Sequence, residues 1–155
     1  MSVRSEAKAV VVYDDKILVN QCETQSGRVY YDLPGGGQQF CESLEQAAIR
    51  EVLEETGYQV KIERFLALAE EIYEDPAVRA QYPAYAHRVL HIYLAHLVCP
   101  ARCAPTEMDF EQRQTVWLPL EQMDHVMLNP EQLNGKIVGL INSAVPQDLG
   151  CRRIG

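Results

Sequence analysis

The segment Gly35–Tyr58, GGGQQFCESLEQAAIREVLEETGY, joins three consecutive glycines to a helical pattern that ends in acidic residues. The glycines predict a flexible loop. Ser43 is a suitable helix N-cap, and Gln46 three residues later predicts a capping box. Gly57 is a suitable C-terminal cap, so the helix is expected to end near Glu55 or the residue after it.

Acidic side chains crowd one edge of this predicted helix. Glu51 and Glu55 lie one turn apart on the same edge, Glu54 lies beside them on the polar side, and Arg50 lies beyond it. The apolar face overlaps the line of Glu51 and Glu55, which places both at the margin of the core. Half-buried like charges repel unless a cation compensates them. The alternative is a solvated acidic face with no function.

A divalent cation would explain both the acids and the glycines. Mg²⁺ binds a few carboxylates together with substrate phosphates. Gly35, Gly36 and Gly37 lack side chains, so their backbone can approach phosphate oxygens closely. A cation, a phosphate and a positioned water together perform phosphoanhydride hydrolysis. We therefore predict substrate contacts at these three glycines.

Composition limits the remaining function classes. At 155 residues the chain is expected to form one domain, residues 1–155. Its net charge of −8 and pI near 5.0 argue against a nucleic-acid polymer as partner. The odd count of five cysteines predicts free thiols in a reducing compartment. Neither a leader pattern nor an apolar run near 18 residues is present, so a cytoplasmic protein without a membrane segment is expected.

The other segments predict a mixed α/β domain. A polar loop is expected between Pro76 and Pro83, and Pro100 predicts another loop. After Asn129-Pro130, the apolar pattern of Leu133–Ile141 predicts a C-terminal helix. The predicted strands are Ala7–Tyr13, Lys16–Gln21, Val29–Pro34, Tyr58–Tyr73, His87–Val98 and Thr115–Leu120.

The opening segment resembles the Nudix box, G-x5-E-x7-R-E-U-x-E-E-x-G-U, where U is a bulky apolar residue. Gly36 is followed after five residues by Glu42, and after seven more by Arg50–Val52. Glu54–Gly57 completes the fixed positions. The one departure is Tyr58, which is aromatic where an aliphatic residue is usual. The flanking LPGGG and TVWLPLEQM segments are also similar to the family, so the resemblance spans most of the chain.

This resemblance implies the Nudix fold, in which a mixed β-sheet is sandwiched between α-helices. It also implies hydrolysis of a nucleoside diphosphate linked to another group X, with Mg²⁺ as cofactor or Mn²⁺ as its substitute. The expected partner is a small nucleotide, and a homodimer is common among members. A catalytically silent nucleotide-binding module is the alternative, although the intact glutamates argue against it.

Residue roles also follow from the resemblance. Glu51 and Glu55 match the main metal ligands, and Glu54 matches a further or water-bridged ligand. Arg50 would orient the glutamates through charge-assisted hydrogen bonds. Glu42 matches the first glutamate of the box, whose role is supportive.

The catalytic base is expected outside the box, because family members differ at this point. Glu107, Asp109 and Glu111 precede the Trp117 strand, and Glu111 is the favoured choice. For each, a solvated acidic loop is the alternative. The carbonyl of Gly35 is expected near the metal.

Substrate contacts are expected from three further places. Tyr30 or Tyr31 should face the cleft, where an aromatic ring could stack on a base, although core packing is the alternative; we select Tyr31. Arg28 and Arg79 could meet a phosphate or the X group, with plain surface charge as the alternative. The segment 74–86 is long enough to shape specificity.

Overall fold

We describe a computed structural model of the chain that covers residues 2–108 and 110–155. The strands in this part are β1 Arg4–Tyr13, β2 Lys16–Glu23, β3 Val29–Asp32, β4 Gly35–Gly37, β5 Tyr58–Tyr73, β6 His87–Arg102, β7 Gln112–Pro119, β8 Leu128–Asn129 and β9 Gln147–Ile154. The α-helices are α1 Leu44–Thr56, α2 Pro76–Gln81 and α3 Ile137–Asn142. Short 3-10 segments cover Leu120–His125 and Glu131–Leu133.

The described strands form one mixed sheet with the order β8-β3-β2-β1-β6-β5-β9. β4 pairs with β1, and β7 pairs with β2. β1 and β6 are parallel, whereas β5 and β6 are antiparallel. Helix α1 covers one face, and α3 with the 3-10 segments covers the other. The predicted sandwich of a mixed sheet between helices is therefore confirmed.

Alternation along β6 divides the core between the two faces. Ile92 and Leu94 pack into the large cluster that also contains Ile137 and Leu140 of α3. Tyr93 points to the opposite face and packs with Ala47 and Ala48 of α1. Because successive strand residues face opposite sides, an almost continuous apolar run serves two cores.

Helix α1 begins and ends as predicted. Ser43 and Gln46 form the reciprocal capping box, and Gly57 adopts a left-handed conformation with φ 79°. The buried face does not include every apolar residue of the helix, because Ile49 and Leu53 are each 36% exposed. The buried positions are Ala47, Ala48, Val52, Glu55 and Thr56. The two alanines let the helix approach the sheet closely, which turns Glu55 inward and the larger aliphatic residues outward.

The glycine segment is a strand, and the prediction of a flexible loop was wrong. Gly35 and Gly36 pair with Lys8 and Ala7 of β1. Gly35 has φ 148°, and a Cβ there would lie 2.2 Å from the carbonyl oxygen of Ala7. Glycine is needed here because two backbones approach closely, and the pairing fixes the segment.

Other boundaries also differ. The segment predicted as a polar loop contains α2, whose N-terminus is capped by Asp75. The expected helix over Leu133–Ile141 is divided by Gly135, which has φ 71°, and only α3 is helical. β6 continues through Pro100 rather than ending in a loop. β9 was not predicted; it pairs in parallel with β5.

None of the five cysteines, all of which are described, forms a disulfide, as the odd count predicted. Among the described residues, no helix has both the length and the apolar character needed to cross a membrane.

Candidate active site

Helix α1 and strand β4 lie side by side because Gly36 leaves room for a carboxylate. A Cβ on Gly36 would lie 2.6 Å from Cδ of Glu51 and 2.7 and 2.8 Å from its oxygens. The Glu51 carboxylate therefore rests directly on the glycine backbone. The predicted closeness of the glycines and the acidic helix edge is present, although a strand supplies it.

Glu51, Glu54 and Glu107 form an acidic cluster whose oxygens lie within 4.8 Å of one another. Glu107 comes from the loop after β6, and this loop is bound to the end of α1. The backbone N–H groups of Thr106 and Glu107 donate to the carbonyl of Glu54 at 2.8 and 3.0 Å. A hydrogen bond to Glu54 and the charge of Glu51 raise the pKa of Glu107. Like charges are thus held together by the fold.

Glu55 lies beside the cluster in a different setting. It is only 4% exposed. Its Oε2 accepts hydrogen bonds from Nδ2 of Asn20 at 2.9 Å and from the backbone N–H of Gly35 at 3.2 Å. Gln112 donates to Oδ1 of the same asparagine at 3.1 Å. A buried carboxylate needs such donors, so Glu55 is fixed in one orientation.

Arg50 forms hydrogen bonds to three glutamates of the same sequence motif. Its Nε and Nη2 donate to both oxygens of Glu42, and its Nη1 donates to Glu51 at 2.7 Å and Glu54 at 3.2 Å. Nη2 also donates to the carbonyl of Gly37 at 2.9 Å. The hydrogen bond from Arg50 lowers the pKa of Glu42. Arg50 therefore holds Glu42, Glu51, Glu54 and the Gly37 carbonyl around one guanidinium group.

A cavity of about 100 Å³, the acidic cavity, lies between α1, β4 and β1. It is lined by four carboxylates, three cationic side chains and three other residues. The lining residues are Arg4, Glu6, Lys8, Gly35, Gly36, Glu51, Glu55, Tyr85, Arg88 and Glu107. One divalent ion would change the formal charge of this lining from −1 to +1, which favours a bound phosphate.

The cluster fits a hard divalent cation. Its donors are carboxylate oxygens, which Mg²⁺ and Mn²⁺ accept. Arg50 compensates Glu51 and Glu54 from one side, while the hydrogen bond to Glu54 and the charge of Glu51 still raise the pKa of Glu107. Glu55 borders the same cavity but is not a member of the cluster, so the predicted set of Glu51, Glu54 and Glu55 differs from the set that converges.

Two of the cationic side chains are bound to protein partners. Nζ of Lys8 donates to the carbonyl of Leu33 at 3.2 Å and lies 3.4 Å from Asp32. Nη2 of Arg88 donates to the fully buried Glu71 at 3.0 Å. Nη1 of Arg88 also lies 3.6 Å from Glu6. Burial raises the pKa of Glu6, but neighbouring cations outweigh it and the pKa is lowered.

The favoured base, Glu111, lies elsewhere. Its Oε2 accepts a hydrogen bond from the hydroxyl of Tyr30 at 2.8 Å, and it lines a separate cavity of about 240 Å³ together with Arg28. Burial and this hydrogen bond raise the pKa of Tyr30. This placement does not support Glu111 as the base, because it lines a cavity other than the acidic one. Asp109 lies outside the described residues.

The tyrosine prediction selected the wrong ring. Tyr31 packs against the large core cluster, whereas Tyr30 lines the cavity beside Arg28 and Glu111. Strand alternation explains the exchange, because neighbouring residues face opposite sides. Arg79 donates to the carbonyl of Tyr73 and lines neither the acidic cavity nor the one beside Arg28. The Gly35 carbonyl, which was expected near the metal, accepts a hydrogen bond from Nζ of Lys8 at 3.5 Å.

A third cavity, of about 480 Å³, adjoins the acidic cavity and is called the tyrosine pocket. Tyr85 and Arg88 line both cavities. Segment 74–86, where specificity was expected, supplies part of the wall. The lining residues are Tyr30, Asp32, Tyr73, Val78, Tyr82, Tyr85, Arg88, Phe110 and Asn129.

The cationic wall of the acidic cavity was missed from sequence. The signal was present in β1, where Arg4, Glu6 and Lys8 recur with a period of two in an otherwise apolar strand. Such alternation places three charged side chains on one face of the sheet. Arg88, next to Arg4 in the parallel register, extends this row onto β6.

Comparison with known proteins agrees with this geometry. The family model described as NUDIX domain matches residues 3–137. The chain therefore belongs to the Nudix family, and the Nudix hydrolase fold is its fold.

Three solved structures share this fold at low identity. A NUDIX hydrolase from Nitrosomonas europaea is 15% identical with a TM-score of 0.70, over 99% of this chain and 80% of that chain. An ADP-ribose pyrophosphatase from Streptococcus suis is 18% identical with a TM-score of 0.62, over 97% and 100%. A MutT NUDIX hydrolase from Burkholderia pseudomallei is 23% identical with a TM-score of 0.61, over 89% and 99%.

Proposed function

We propose that this protein hydrolyses a phosphoanhydride bond in a nucleoside diphosphate linked to another group, with Mg²⁺ or Mn²⁺ as cofactor. The observation that carries the proposal is the convergence of Glu51, Glu54 and Glu107, with the Glu51 carboxylate lying against the bare backbone of Gly36. Carboxylates held this close repel one another, and a bound divalent cation would offset the repulsion.

The cluster would hold the ion, with Glu55 as a further ligand from the same cavity wall. A bound divalent ion would neutralise phosphate charge and make a coordinated water more acidic. Arg50 orients Glu51 and Glu54 through its hydrogen bonds. Glu107 is the one cluster member outside the helix, and we assign it to accept the proton of the attacking water. That water would add to phosphorus as the anhydride bond to the leaving phosphate breaks.

The tyrosine pocket is suited to the substrate's aromatic group. Its rings offer stacking surface, while Asp32 and Asn129 offer polar atoms at its wall. Because this pocket shares Tyr85 and Arg88 with the acidic cavity, one substrate can occupy both. The relatives described as an ADP-ribose pyrophosphatase and a MutT hydrolase fit a nucleotide substrate.

A substrate panel tests the proposal. The protein with Mg²⁺ is incubated with nucleoside diphosphate sugars, dinucleoside polyphosphates and nucleoside triphosphates, and nucleotide products are separated by chromatography. Glu55→Gln should abolish turnover and preserve the fold, because the amide oxygen can still accept the bonds from Asn20 and Gly35. Glu45→Gln, exposed on the same helix, is the matched control. Binding without product would favour the silent nucleotide-binding alternative.

A further inference from the structure

Arg4 differs from the other cations of the acidic cavity in the position of its unused donors, which are the two terminal nitrogens of its guanidinium group. Its Nε donates to Glu6 at 2.7 Å. Within residues 2–108 and 110–155, its Nη1 and Nη2 have no other hydrogen-bond partner. Lys8 and Arg88 instead direct their terminal nitrogens to protein oxygens. Arg4 is therefore the cation whose fork is open to a ligand.

The fold holds this fork in a defined place. The guanidinium of Arg4 lies over the ring of Tyr85, 4.6 Å from its centroid. On another side it rests on Gly37, where a Cβ would lie 2.7 Å from Nη2. Glu6, which is 2% exposed, anchors Nε. A flexible side chain is thus restrained by an ion pair, a cation–π contact and a glycine that leaves space.

Arg4 and the acidic cluster approach one edge of β4 from opposite faces of the sheet. Gly37 pairs with Glu6 and shares its face, whereas Gly36 pairs with Ala7 and faces α1. The Glu51 carboxylate lies on the Gly36 side and the Arg4 guanidinium on the Gly37 side. The acidic cavity lies at the edge of β4, and its lining includes Arg4 from one face of the sheet and Glu51 from the other.

We infer that Arg4 binds a phosphate of the substrate at the edge of β4, across from the cation that the acidic cluster would hold. The inference rests on the proposed function, since it takes the ligand to be a phosphoanhydride. An arginine fork binds two phosphate oxygens in one plane, and preorganisation by Glu6 and Tyr85 lowers the entropy lost on binding. Tyr85 also lines the tyrosine pocket, so the phosphate site and that pocket share a wall.

The test compares Arg4→Ala with Arg113→Ala, an exposed arginine on β7 that lines none of the described cavities. Calorimetry with inorganic pyrophosphate and Mg²⁺ measures affinity, and steady-state kinetics on an accepted substrate measures KM and kcat. Losing charge-assisted bonds to a phosphate should weaken pyrophosphate binding and raise KM by about 10- to 100-fold, with kcat largely retained. Arg113→Ala should match the wild type.

A further variant tests the ring under Arg4. Tyr85→Leu removes the cation–π contact and should bind pyrophosphate more weakly than the wild type. Melting temperatures of all variants monitor folding. Equal pyrophosphate affinity in Arg4→Ala and Arg113→Ala would overturn the inference. If the wild type hydrolyses no panel member, the proposed function fails, while the pyrophosphate comparison still decides the role of Arg4.

Discussion

Replacing Gly36 with alanine should strongly reduce activity with little effect on stability. The new Cβ would lie 2.6 to 2.8 Å from three atoms of the Glu51 carboxyl group, whereas ordinary contact begins at 3.4 Å. The carboxylate must therefore move by about 0.6 Å or more away from the strand. Misplacement of a reacting group by about 1 Å can cost about 100-fold in rate, so we expect turnover to fall about 10- to 100-fold.

Folding should be preserved because the displaced atoms end a flexible side chain and Gly36 has no left-handed φ. The assays are turnover of an accepted substrate and the thermal shift produced by Mn²⁺, which should shrink with the distorted cluster. Gly139→Ala in α3 is the matched control, since nothing lies within 4 Å of its Cβ. Wild-type turnover together with a wild-type Mn²⁺ shift in Gly36→Ala would refute the reasoning.

Three other changes test the surroundings of the site. Glu107→Gln should raise the melting temperature of the metal-free protein at pH 7 and reduce the stabilisation by Mg²⁺. Because the pKa of Glu107 is raised in the folded protein, its stabilising protonated form is present at low pH and is lost as the pH rises. Melting temperatures measured across pH should therefore show a gain over the wild type that vanishes below about pH 4. Arg88→Met should lower the free energy of unfolding by about 3–5 kcal/mol in urea denaturation, because Glu71 stays buried without its counter-ion and Glu6 loses one of its cations; a cost below about 1 kcal/mol would contradict this. Ser43→Ala should cost about 1 kcal/mol in the same measurement through the lost cap, and an unchanged midpoint would contradict it.

Local signals allowed the helix and much of the sheet to be predicted. Ser43 and Gln46 satisfy each other's neighbouring backbone groups, and Gly57 accepts a left-handed turn, so both ends of α1 are determined within a few residues. The apolar runs of β1 and β6 needed no tertiary information either. The acids brought together on α1 likewise follow from helical spacing alone.

Features that depend on distant segments could not be predicted. Glu107 joins Glu51 and Glu54 because its loop donates backbone hydrogen bonds to the carbonyl of Glu54, which no spacing rule reveals. The burial of Glu55 depends on Asn20 of β2 and on the backbone of Gly35. The wheel placed Glu55 at the core margin, but small alanines beside it moved the buried face.

The C-terminal strand has a practical consequence. The NUDIX match ends at residue 137, yet β9 continues the sheet along β5 with parallel pairing from Ala67 to Tyr73. A chain that ended at residue 137 would lack β9 and leave that side of β5 with unpaired backbone N–H and C=O groups. Such an exposed strand edge favours pairing with strands of other molecules. Expression of the matched domain should therefore include the residues through Ile154, because a shorter chain is expected to aggregate.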